Sequence, residues 1–109
     1  MTKIYIAEIG PNVLFECTGH SGYGEKGKDI VCAAVSILSQ TFALLCMELE
    51  QERKIQVNEA YIGSGRIRIS IKDSDGCTMY PVKMLKTGFS RLCEEYPENV
   101  SFTTEKWES

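Results

Sequence analysis

The sequence predicts a two-layer α+β domain: a mostly antiparallel sheet carrying two helices, in the order ββαββαβ. Three observations predict it. Short runs that alternate apolar and polar residues lie between turn residues, over 3–9, 13–18, 55–62 and 66–72. Two longer segments, 29–52 and about 78–96, carry too many apolar residues for strands or repeat them at helical spacing. A chain of 109 residues suits one compact domain, so residues 1–109 are read as a single unit.

In the first run Ile4, Ile6 and Ala7 are apolar, while Lys3, Tyr5 and Glu8 read as outward. Gly10-Pro11-Asn12 is a turn signal. Val13, Phe15 and Cys17 then alternate with Leu14, Glu16 and Thr18, so the two runs form a β-hairpin. The first helix runs from Asp29 to about Glu52. Its first half is apolar on nearly all sides, which predicts a largely buried helix, and its last turns, ELEQERK, are charged and solvated. A second strand pair crosses Gly63-Ser64-Gly65. In its later strand Ile67, Ile69 and Ile71 share one face, with Arg66, Arg68, Ser70 and Lys72 on the other. Ser74-Asp75-Gly76 is a further turn. The second helix carries Val82, Leu85, Phe89, Leu92, Cys93 and Tyr96 on a stripe free of charged residues, read as core, and Pro97 ends it. Val100, Phe102 and Thr104 suggest a final strand. This order fits two helices packed on one face of a sheet.

Composition narrows the function classes. At 43% hydrophobic and 25% charged residues the chain is ordinary for a globular protein. The formal net charge of −3 gives no overall basic surface for nucleic acid, and an acidic domain more naturally attracts a basic partner. The longest apolar stretch, Ile30 to Met47, is interrupted by Ser36, Ser39, Gln40 and Thr41, so no membrane span is expected. MTKIYIAEIG lacks the order of regions of a signal peptide, and a cytoplasmic location is expected. Five cysteines, an odd number with no CxxC pair, are expected as thiols, most of them small core residues.

The chemistry gathers around the single histidine. His20 ends a strand and precedes Cys32 by twelve residues, across a loop containing Gly22, Gly24 and Gly27. Asp29 is a good N-cap, which puts Cys32 at the third helical position with its backbone N–H toward the Asp29 side chain. The positive end of a helix dipole favours thiolate over thiol, and amides of that turn can hold a developing oxyanion. An unperturbed imidazole titrates near pH ~6.5, which suits a general base that later returns its proton. The loop glycines allow the chain to fold back and to close over a bound peptide. Ser36 lies one turn beyond Cys32. Its hydroxyl either faces the imidazole or a substrate carbonyl, or bonds back to the carbonyl of Cys32. Asp29 caps the helix, orients His20, or does each in different states; one carboxylate does not easily serve both ends at full strength, which favours capping.

Two motifs overlap this loop without carrying weight. Gly22 to Gly27 matches GxGxxG, but a hairpin precedes the helix where a dinucleotide fold needs a parallel βαβ unit. Gly22 to Lys28 matches GxxxxGK, but Asp29 replaces the Ser or Thr and would repel phosphate. Cys17-Thr18-Gly19-His20 has zinc-ligand spacing without a second close pair. No metal and no cofactor are expected.

The run Gly19-His20 … Gly27-Lys28-Asp29-Ile30-Val31-Cys32-Ala33-Ala34-Val35-Ser36 resembles the motif of the bacterial ribosomal-processing cysteine proteases known as Prp, without departure at these positions. That resemblance implies a cysteine endopeptidase that removes the N-terminal extension of large-subunit ribosomal protein number twenty-seven. It makes Cys32 the nucleophile and His20 the base, with Asp29 and Ser36 as supporting residues. It also implies a homodimer and a substrate whose cut follows an aromatic residue and precedes a basic stretch. A ribosomal protein precursor with a basic N-terminal region agrees with the acidic charge of this chain. The rival readings are a non-catalytic ribosome-associated binding protein with Cys32 as an inert thiol and, behind it, a thiol redox protein that lacks an obvious resolving cysteine.

Overall fold

The computed structural model describes residues 1–20, 22, 24 and 29–107. The order is ββαββαβ: β1 (Thr2–Ile9), β2 (Asn12–Thr18), α1 (Ile30–Gln51), β3 (Gln56–Gly63), β4 (Arg66–Lys72), α2 (Met79–Glu95) and β5 (Val100–Trp107). One five-stranded sheet has the order β3-β4-β2-β1-β5. Its pairings are antiparallel except β1 with β5, which run parallel. The sheet is therefore mixed, and each hairpin is an antiparallel pair as its turn signal predicts.

Both helices lie on the face formed by Ile4 and Ile6, Val13, Phe15 and Cys17, and Ile67, Ile69 and Ile71, all buried. Phe15 stands at the centre of this layer. Phe42 of α1 meets its ring edge-on at 5.9 Å, and Phe89 of α2 stacks on it at 5.8 Å. One strand residue thus pins both helices to the sheet. Gly88 lets the helices approach: a Cβ there would lie 3.2 Å from two methyl groups of Leu38. Asp73 organises the start of α2 by accepting from the backbone of Cys77 and from both the backbone and hydroxyl of Thr78. The second helix ends at Glu95, two residues before Pro97, because the residue preceding a proline is steered away from helical backbone.

Three expectations need correction. Glu8 does not face the open side. The period of two along β1 puts it with Ile4 and Ile6, and it ion-pairs there with Lys86 of α2. Ala7 lies on the opposite face and is still buried, since its strand neighbours Leu14 and Glu105 flank so small a side chain. The first helix is not buried all round. Val31, Val35, Ser39, Phe42, Ala43 and Cys46 form its inner face, but Ile30, Ile37 and Leu44 are 57%, 66% and 56% exposed. A two-layer fold covers one side of a helix only, so the apolar outer side stays bare. That helix also has the length and apolarity of a membrane-crossing segment. The interrupting residues Ser36, Ser39, Gln40 and Thr41 carry no charge and do not offset the aliphatic ones.

Candidate active site

The site lies at the end of the sheet where β2 leaves it. The strand ends at Thr18, two residues before His20 rather than at it as expected, because the chain bends at Gly19, whose N–H donates to the carbonyl of Gly65 at 2.8 Å. Gly19 has φ +91°, and a Cβ there would lie 2.5 Å from the carbonyl oxygen of Met1. Only glycine fits both the backbone angle and the space, which accounts for the glycine in front of His20. His20 then projects into solvent-accessible space.

Cys32 is delivered from above by the first turn of α1. Asp29 is the N-cap, with extended backbone, and its Oδ1 accepts from the Cys32 N–H at 2.9 Å. Its Oδ2 accepts from the Gly24 N–H at 3.3 Å, so the same carboxylate ties the preceding loop to the helix start. Such a cap contributes about 1 kcal/mol. The Ala33 N–H closes the first helical bond to the Asp29 carbonyl at 3.1 Å. Of the loop glycines, Gly22 and Gly24 are exposed and Gly27 lies outside the described residues.

His20 and Cys32 line one cavity of about 360 Å³. Ser36 and Gln40 continue along the helix from Cys32, and the β3–β4 hairpin closes the other side with Ile62 and Gly65. Ser36 is exposed and aimed at this cavity. Gln40 escaped the sequence reading although it continues the 32, 36, 40 spacing of one helical face. Ile62 and Gly65 had no local signal. They arrive through the β2–β4 register, which sets Thr18 opposite Arg66.

Cys17 also lines this cavity, but it is buried, beside Ser39. Burial pushes its thiol up to about 11, with the Ser39 hydroxyl opposing that shift and the neighbouring Cys32 adding to it. Burial likewise pushes Cys46, in the middle of α1, up to about 12, with a smaller contribution from Asp73. Both are protonated, unreactive thiols near neutral pH. Cys32 is only partly buried, at a helix start and in a cavity with an imidazole.

The arrangement thus offers a partly accessible thiol at a helix N-terminus, an imidazole lining the same cavity and a cleft between a helix and a hairpin. Known proteins carry the same fold. The ribosomal processing protease Prp from S. aureus, in complex with a covalently linked product peptide, is 22% identical with a TM-score of 0.77, covering 95% of this chain and 99% of that one. The same protease in complex with a substrate peptide gives 20% identity and a TM-score of 0.63 over the same shares. SMU.848 from Streptococcus mutans is 28% identical with a TM-score of 0.68, covering 97% of this chain and 95% of that one. No curated protein matches the chain. The family model described as cysteine protease Prp matches residues 1–101, and the chain therefore belongs to the Prp family of cysteine proteases.

Proposed function

We propose that this chain is a ribosomal-protein processing endopeptidase in which Cys32 is the nucleophile and His20 the general base and acid. The observation that carries the reading is that His20 and Cys32, twelve residues apart, line one cavity in a chain of a cysteine protease family. His20 takes the thiol proton, and the Cys32 sulfur attacks the scissile carbonyl. The tetrahedral intermediate collapses as His20 protonates the leaving amine, and water then releases the acyl group. The S. aureus relative with a covalently linked product peptide supports a covalent step of this kind.

Asp29 acts here as the cap that fixes the direction of the Cys32 turn. The Cys32 N–H is held by that carboxylate, and in this reading first-turn amides are the oxyanion donors. Ser36 sits where its hydroxyl can meet a substrate carbonyl. The loop containing Gly22, Gly24 and Gly27 closes over the peptide.

The substrate we propose is the precursor of large-subunit ribosomal protein number twenty-seven, cut after an aromatic residue at the end of its N-terminal extension, in the cytoplasm. The net charge of −3 favours such a basic substrate. Incubation with that precursor, followed by mass spectrometry of the product, should show one new N-terminus. Intact precursor after prolonged incubation with active enzyme would remove this substrate.

We also propose that the protein works as a homodimer through the bare side of α1. Between Ile30 and Met47 this helix carries no charged residue, so two copies facing each other bring no like charges together. Sedimentation at micromolar concentration should show a dimer, and Ile37→Glu a monomer. A wild-type monomer would refute the assembly.

A further inference from the structure

The imidazole of His20 lies against the tip of the β3–β4 hairpin. A Cβ built on Gly65 would stand 3.1 Å from Nε2, 3.5 Å from Cε1 and 3.8 Å from Cδ2 of the ring. The edge of the ring that carries Nε2 therefore occupies the space a side chain at 65 would take. The hairpin tip is itself well anchored. Its register pairs Ile62 with Ile67 and Gly63 with Arg66, and the Gly65 carbonyl accepts the Gly19 N–H next door to His20. Gly65 also has φ +72°.

We infer that Gly65 is a positioning residue for proton transfer: its bare backbone forms the seat for the His20 imidazole on the hairpin side of the cavity that Cys32 lines from the helix side. The inference rests on the reading of His20 as the catalytic base. The seat is made of backbone at the closed end of a hydrogen-bonded hairpin, so it is stiffer than a side-chain prop. It also links the histidine to a residue 45 positions further along the chain. A methyl at 65 has two ways to be accommodated. Either the ring moves away from its seat or the hairpin tip lifts, and both change the distance from imidazole to thiol. Displacements of about 1 Å at a reacting centre cost on the order of 100-fold in rate.

Gly76 supplies the control. It has φ +74°, and a Cβ there meets nothing within 4 Å. Gly76→Ala therefore carries the same backbone strain as Gly65→Ala without the collision. Gly65→Asn is the second variant, since asparagine tolerates positive φ but still brings a Cβ against the ring.

The test is steady-state cleavage of a peptide spanning the cut site, with the NMR chemical shifts of the single imidazole read in parallel. Gly65→Ala and Gly65→Asn should lower kcat by on the order of 100-fold with KM changed by less than about threefold, and should shift the His20 ring resonances. Gly76→Ala should keep both kcat and the resonances, whatever its loss of thermal stability. Wild-type kcat in Gly65→Asn, or equal loss in Gly65→Ala and Gly76→Ala, would overturn the inference. His20→Ala is measured beside them. If that variant cleaves at the wild-type rate, the base assignment fails, independently of the seat.

Discussion

Cys32→Ala should abolish peptide cleavage, and His20→Ala should reduce it severely. Removal of a nucleophile that works with a base costs on the order of 10⁶-fold in kcat, which places Cys32→Ala below detection. Loss of a general base costs on the order of 10² to 10⁴-fold, so His20→Ala should retain a measurable trace. The two defects should not multiply, because the imidazole has no proton to move once the thiol is gone. Neither change threatens the fold: His20 is exposed, Cys32 is only partly buried, and alanine is a good helix former.

A chemical readout accompanies the kinetic one. At mildly acidic pH, iodoacetamide should label wild-type protein at Cys32 first, because thiolate is the reactive form. Burial holds Cys17 and Cys46 at about 11 and about 12, so both stay protonated. Cys77 and Cys93 share no cavity with the imidazole. Labelling should be slower in His20→Ala, where the proton acceptor is missing. Full cleavage by Cys32→Ala would sink the nucleophile assignment, whatever the labelling shows.

Phe15→Ala should produce the largest loss of stability. The residue is fully buried, and its ring meets one phenylalanine from each helix. Truncation leaves a cavity at the point where sheet, α1 and α2 converge. Such substitutions cost about 3–5 kcal/mol, and each kcal/mol shifts the midpoint of a domain this size by about 4–8 °C. A Tm fall of at least ~12 °C is expected, read by circular dichroism or calorimetry. Phe15→Leu should recover part of it, since a leucine fills some of the void. A loss below about 1 kcal/mol for Phe15→Ala would mean that the helices are held mainly by other contacts. The effect should reach the candidate site, because α1 carries Cys32 and His20 follows β2 by two residues. A sheet–helix seam that loosens lets the two separate.

Much of this molecule is local and was therefore legible. Alternation marks β4, where Ile67, Ile69 and Ile71 turn inward along one strand. The turn at Gly10-Pro11-Asn12 pairs β1 with β2 because two neighbouring strands joined by a tight turn have one simple way to pair. The Asp29 cap on Cys32 was legible for the same reason. It spans three residues, and helix geometry alone sets donor and acceptor. The motif around His20 and Cys32 pointed to the cysteine protease family without a coordinate.

Other features depend on segments far apart in the chain. The parallel pairing of β5 with β1 joins the two ends of the sequence, and nothing within either strand specifies its partner. The burial of α1 failed as an expectation because composition cannot say how many layers cover a helix, and here one sheet covers one side. Glu8 reads as a surface charge until α2 brings Lys86 over the same face.

The elements, their order, the capped cysteine and the lone histidine were all readable from the chain, since each follows from residues within a few positions of one another. Where the histidine rests is set by packing between distant segments. Gly65 reaches His20 through the β2–β4 register, and a register is settled by the burial of whole strands against the helices rather than by any short motif.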